Sequence, residues 1–205
     1  IAATALETVE HIYLMTQKTF AWPKRVRLSS DPFIAELPDA AKPRNIDSSQ
    51  PHIGRSLSEL RSGGACELGA GVFEASEVDI TERVTTGSIF GRTTSSIAWF
   101  RGGWPELFNQ DYREANLSAA LLEARLVFHK YPAQGQAYSY VPVMIGADNY
   151  TRRFVHNLLD PVTGESWVTM EACGCKFDLS KRRLIKMSDN EVTTLLKTAN
   201  TELTP

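Results

Sequence analysis

The 205-residue chain has little of several things that would classify it at once. Cysteine occurs only at 66, 173 and 175, too sparsely and unevenly for the disulfide framework of a small secreted domain. A reducing, cytoplasmic setting is therefore the expectation, with any targeting segment ahead of Ile1 left open. There is no basic excess either: Lys+Arg of 22 against Asp+Glu of 24 leaves a net charge of −2. Without a positive field the chain has no general means of holding a phosphodiester backbone, so nucleic acid is not the expected partner. Long hydrophobic runs are also missing. Stretches such as 119–122 and 141–146 fall far below the roughly 18 residues that a membrane-spanning helix needs. What is present is 42% hydrophobic and 22% charged, the balance of a globular chain with one substantial core, which excludes disorder.

Along the chain, Leu6, Val9, Ile12, Tyr13 and Phe20 with Glu7 and Glu10 between them predict an amphipathic N-terminal helix over 1–20. Pro23, Pro32, Pro38, Pro43 and Pro51 then forbid a long helix or a central strand. The prediction is an ordered Pro-rich arm with one short edge strand at 24–28, covering a pocket or an exposed sheet edge. Branched and aromatic residues over 72–80 predict the first long strand. Cap residues at 93–96 followed by Ile97, Phe100, Trp104 and Leu107 predict a helix towards 108, interrupted by Gly102, Gly103 and Pro105. Leu117, Leu121 and Ala124 predict a second helix over 112–125. Strands follow at 125–130, 137–145, 151–159 and 165–177 as an antiparallel meander, with turns at 160–164 and 178–181. Ser188-Asp189-Asn190-Glu191 is a capping box, and it opens a helix carrying Val192, Leu195 and Leu196 on one face.

A strand, a turn, a largely apolar helix and then a meander is the element order of the hotdog fold, in which a curved antiparallel sheet wraps a central helix. The stretch Ala124-Arg125-Leu126-Val127-Phe128-His129-Lys130-Tyr131-Pro132-Ala133-Gln134-Gly135 resembles the strand pattern of hotdog acyl thioesterases and thioester dehydratases. So do Leu158-Leu159-Asp160-Pro161-Val162-Thr163-Gly164-Glu165 and Phe177-Asp178-Leu179-Ser180-Lys181-Arg182-Arg183. The resemblance covers roughly 68–187. It implies an α+β hotdog domain over 68–205, with the N-terminal helix and arm of 1–67 packed on it. It further implies a homodimer or higher homo-oligomer whose sites form where subunits meet. The partner would be acyl-CoA or an acyl-carrier protein of fatty acid or polyketide metabolism, and no cofactor or metal is implied.

Thioester hydrolysis needs a carboxylate to activate water and donors for the oxyanion that forms at the carbonyl. In one thioesterase branch the acid is an aspartate three residues before a glycine, ahead of the central helix. If that glycine is Gly87, the matching position is Val84 and the acid is missing. A second branch carries the acid on the helix itself, yet 88–100 contains none. Glu106, after the Gly102-Gly103-Trp104-Pro105 break, is then the candidate carboxylate; its structural reading is a helix-start acid. Gly87 and Gly91 are candidate oxyanion donors or plain turn residues. His129, like His156, is a candidate base or a structural strand histidine. Trp99, Trp104 and Phe108 are candidate acyl-pocket residues or core. Arg152 and Arg153 are candidate phosphate holders or solvated charges. Cys173 and Cys175 share one strand face, read as small buried thiols because no further zinc ligands are evident.

Two alternatives stand beside carboxylate-activated thioester hydrolysis: a non-catalytic hotdog module binding an acyl or aromatic ligand, and a thioester dehydratase or isomerase using His129 or His156.

Overall fold

The computed structural model describes residues 45–47, 52–97 and 100–204. The expected N-terminal helix, the 24–28 strand, most of the Pro-rich arm and Trp99 lie outside the described residues. Helix α1 (Leu57–Ser62) opens on a capping box between Ser56 and Glu59. It is followed by strand β1 (Gly69–Val72), a 3-10 turn (Ala75–Glu77), the central helix α2 (Thr86–Ile97) and a second 3-10 turn (Pro105–Phe108). A short helix α3 (Gln110–Glu114) precedes strands β2 (Leu117–Phe128), β3 (Ala137–Ala147), β4 (Arg152–Leu159), β5 (Ser166–Asp178) and β6 (Arg183–Leu184). Helix α4 (Asp189–Leu196) and a 3-10 turn (Thr201–Leu203) close the described chain.

The sheet is antiparallel in the order β1-β3-β4-β5-β2, with β6 added beside β5. Of the four strands expected in the meander, β3, β4 and β5 do run side by side in chain order, whereas β2 crosses over to pair with β5 from Leu117↔Asp178 to Phe128↔Val168. Side chains alternate with the two-residue period of a strand. Phe154 and Leu158 of β4 face α2 together with Met144, Met170 and Ala172. Val155 and Leu159 face the other way and pack with Val141, Val143 and Ile145 against Leu57, Leu60 and Leu203. Both faces are covered, which is why these strands read as nearly continuous apolar runs.

Three sequence expectations are corrected here. The strand expected over 72–80 ends at Val72, and the chain turns through Ala75–Glu77 with Phe73 fully buried. The helix expected to start near 93–96 starts instead at Thr86 and stops at Ile97, short of 108. It holds two glycines and many Ser and Thr residues of modest helix propensity, so buried Ile89 and Thr93 rather than local preference keep it helical. The helix expected over 112–125 is mostly strand β2. Asn45, Ile46 and Asp47 lie against that edge strand. The Glu123 carboxylate accepts from the Asn45 amide at 2.8 Å and the Ile46 amide at 3.2 Å, and Arg125 donates to the Asp47 carbonyl at 3.1 Å.

Candidate functional site

Between the inner face of the sheet and α2 lies a cavity of about 120 Å³. Phe90, Thr93, Thr94 and Ile97 of α2 form its roof, and Ala119, Ala120 and Leu121 of the edge strand β2 form one wall. Its floor includes Phe154, His156, Met170 and Ala172, and Trp104 also lines it. The lining is mostly apolar. The Thr93 hydroxyl is turned back onto the Ile89 and Phe90 carbonyls of its own helix at 3.0 and 3.1 Å.

Trp104 is held by its neighbours. Its ring stacks on Phe154 at 5.5 Å, and the Arg152 guanidinium sits over it at 4.4 Å. Arg152 is 1% exposed. It donates to the Gly103 carbonyl at 2.8 Å and to both carboxylate oxygens of Glu106, with the Met187 sulfur beside it. Gly103 admits no side chain, because a Cβ there would collide with Phe154 and Phe100. Glu106 and Arg152, expected to serve carboxylate chemistry and phosphate binding, thus hold each other at the edge of the core. Arg153, its neighbour on the opposite face of β4, is exposed. Phe108 ends the 3-10 turn that carries Glu106; its side chain lies outside the described residues.

The segment ahead of α2 is a closed loop. Val78 bridges Val84, the Asp79 amide donates to the Arg83 carbonyl at 2.9 Å, and Asp79 Oδ1 accepts from the Thr81 amide and hydroxyl at 2.7 and 2.6 Å. Glu82 has φ of 62°, the left-handed region that favours glycine. It stands three residues after Asp79 and four before the helix. Gly87 is instead the second residue of α2, where helix geometry leaves an amide without an intrahelical acceptor. Gly91 lies a turn further in, where amides belong to the helix ladder. The loop is tied to the helix by Arg92, whose guanidinium donates to both oxygens of Glu77 and to the Val72 carbonyl. An aspartate thus stands three residues before a left-handed position on this loop, and that position is held by a glutamate rather than a glycine. Glu82→Gly is expected to raise stability by a few tenths of a kcal/mol, and Glu82→Val, with its branched Cβ, to lower it by about 1–2 kcal/mol. Chemical denaturation of the two variants checks this.

His156 is 4% exposed, and burial lowers its pKa to about 3, so the ring is neutral. Its Nδ1 lies 2.6 Å from the Tyr140 hydroxyl. His129 sits on the other side of the sheet's edge, after β2, with Nε2 2.8 Å from the Thr169 hydroxyl and its pKa lowered by burial. It stacks on His52, whose pKa is lowered to about 4, chiefly by burial and then by Arg125. The two histidines therefore occupy separate environments. Cys173 and Cys175 are fully buried thiols, and burial raises the pKa of Cys173 to about 11. Among the described residues no three His, Cys, Asp or Glu side chains gather as a metal site, and no helix is long and apolar enough to cross a membrane.

No protein-family model matches the chain, and no curated protein sequence matches it. Solved structures do. A Staphylococcus aureus protein solved in complex with CoA superposes with a TM-score of 0.55 at 10% identity, over 69% of this chain and 87% of that one. The 12:0-ACP thioesterase of Umbellularia californica gives 0.53 at 12% identity over 64% of this chain, which spans 52% of the plant chain. A 1,4-dihydroxy-2-naphthoyl-CoA thioesterase from Synechocystis gives 0.52 at 9% identity, over 62% and 93%. The shared architecture is the hotdog fold, an antiparallel sheet curled around α2, as the sequence resemblance implies.

Proposed function

We propose that the chain hydrolyses acyl thioesters, with Asp79 as the carboxylate that activates water. The observation that carries this reading is the left-handed Glu82 three residues after Asp79, on the loop that leads into the helix roofing an apolar cavity. The acyl group occupies the cavity and the thioester carbonyl lies near the start of α2. Asp79 takes a proton from water as its oxygen attacks the carbonyl carbon. First-turn amides, that of Gly87 foremost, stabilise the oxyanion before the C–S bond breaks and the thiol leaves with a proton. Structural neighbours solved with CoA, or named for CoA and ACP thioesters, support acyl-CoA or acyl-carrier protein as the substrate class. A second copy of the chain set along β2 would complete the site, since that edge strand supplies Ala119, Ala120 and Leu121 to the cavity and leaves Leu121 and Leu122 exposed.

At about 120 Å³ the cavity is on the scale of the roughly 150 Å³ engineered cavity that accommodates benzene. The part of an acyl group held there is therefore a short chain or a ring. Thiol release from butyryl-, benzoyl- and palmitoyl-CoA tests both statements. Turnover of the first two, with palmitoyl-CoA far slower, is the expected result. A second reading has its own support, because Asp79 Oδ1 already accepts from Thr81 and, at 3.4 Å, from the Arg83 amide, as a purely structural loop acid would. Folded protein that binds these thioesters without releasing thiol would establish that reading, a non-catalytic acyl-binding module.

A further inference from the structure

Among the buried side chains around the cavity, His156 has a polar atom, Nε2, that makes no hydrogen bond among the described residues. Its neighbours Phe154, Met170 and Ala172 are apolar. A neutral imidazole has one N–H and one lone pair, and the bond made by one nitrogen decides what the other offers. The Tyr140 phenol is buried, and the one hydrogen bond it makes among the described residues is to His156 Nδ1 at 2.6 Å. A buried O–H needs an acceptor, so the phenol donates and Nδ1 accepts. The ring proton is then on Nε2. Tyr140 lies outside the cavity lining and His156 within it, so the imidazole stands between the phenol and the cavity. The rings of Tyr140 and His156 lie within 7° of parallel, with centroids 5.9 Å apart.

We propose that His156 Nε2–H is a fixed hydrogen-bond donor in the cavity, and that the group bound there carries an oxygen acceptor, as an oxo-, hydroxy- or ring-oxygen-bearing short acyl or aryl group does. This rests on the reading that the cavity takes the acyl group, and it makes oxygenated acyl groups preferred over plain butyryl and benzoyl groups of like size, which are still accepted. Burial adds support, because a ring with so low a pKa stays a neutral donor at every physiological pH. A plain hydrocarbon would leave the N–H without a partner inside an apolar space, and a ligand carbonyl satisfies it.

The test uses two ligands of nearly one shape, cyclohexanone and methylenecyclohexane, titrated into the folded protein and read by calorimetry or by NMR shifts. Water solvates the ketone better, so the informative quantity is the ratio of the two affinities in different variants. In His156→Leu that ratio is expected to move against the ketone by about tenfold or more relative to the unaltered protein. Should the single variant fail to fold, Tyr140→Phe/His156→Leu, which leaves no orphan phenol, gives the same comparison. A nitrogen-15 spectrum of the unaltered protein is expected to show His156 protonated at Nε2 and bare at Nδ1. An unchanged ratio, binding of neither ligand, or the opposite tautomer would overturn the proposal. Ketone selection without thiol release from any acyl-CoA would leave this inference standing and remove hydrolysis.

Discussion

Arg152→Met is expected to lose about 3–5 kcal/mol of stability, among the largest effects of any single substitution in this chain. Arg152 is buried, and its removal strands the Glu106 carboxylate, takes a donor from the Gly103 carbonyl and uncovers the Trp104 ring that shapes the cavity. For a chain of this length such a loss lowers the melting temperature on the order of 10 °C. Glu106→Gln is expected to cost somewhat less, because the amide oxygen still accepts from the guanidinium while a buried positive charge is left uncompensated. The pair is diagnostic when combined. Replacing both residues by methionine removes both charges together, so the double variant is expected to lie above Arg152→Met in stability. Thermal melts of Arg152→Met, Glu106→Met and the double variant check this; a double variant whose loss equals the sum of those two singles would show that the two side chains do not act as a unit.

Asp79→Asn is expected to lower kcat by about 10²–10⁴-fold, the range of a general base. Asparagine keeps the side-chain oxygen that accepts from the Thr81 amide, the Thr81 hydroxyl and the Arg83 amide, so the loop and the melting temperature are expected to persist. The cavity is built by other residues, and KM is expected to change little. An unfolded or loosened variant would instead show that Asp79 acts through the loop alone. Steady-state kinetics on benzoyl-CoA beside a melting curve distinguish the two.

Strands β3, β4 and β5 were legible because branched and aromatic residues fill them and turn residues bound them, and α4 because its capping box is local. Gly164, with φ of 75°, closes the hairpin where a glycine was expected to do so. Strand β2 was not legible. Ser118-Ala119-Ala120-Leu121-Leu122-Glu123-Ala124 has strong helix formers at nearly every position, and only its pairing along β5 makes it a strand. The start of α2 was hidden for the opposite reason, since Thr86, Gly87, Ser88 and Gly91 suit turns and tertiary burial of Ile89 overrides them. At the site, Trp104 was identifiable as an aromatic at the break, and its place on the cavity follows from Arg152 and Phe154, which are distant in sequence. The role proposed for Asp79 is not legible in the sequence, because Gly87 draws the spacing towards Val84 and a backbone angle at Glu82 cannot be read from a side chain. The Tyr140–His156 bond joins neighbouring strands, and needs their register to be known.

The central claim is that water, activated by a carboxylate, cleaves a thioester at this cavity. A single turnover in oxygen-18 water, with protein in excess over benzoyl-CoA, tests it most directly. The expected result is one equivalent of free CoA thiol together with benzoate that carries one heavy oxygen from its first turnover. Benzoyl-CoA recovered intact, or first-turnover benzoate free of label with the heavy oxygen later found on a protein carboxylate, would contradict it.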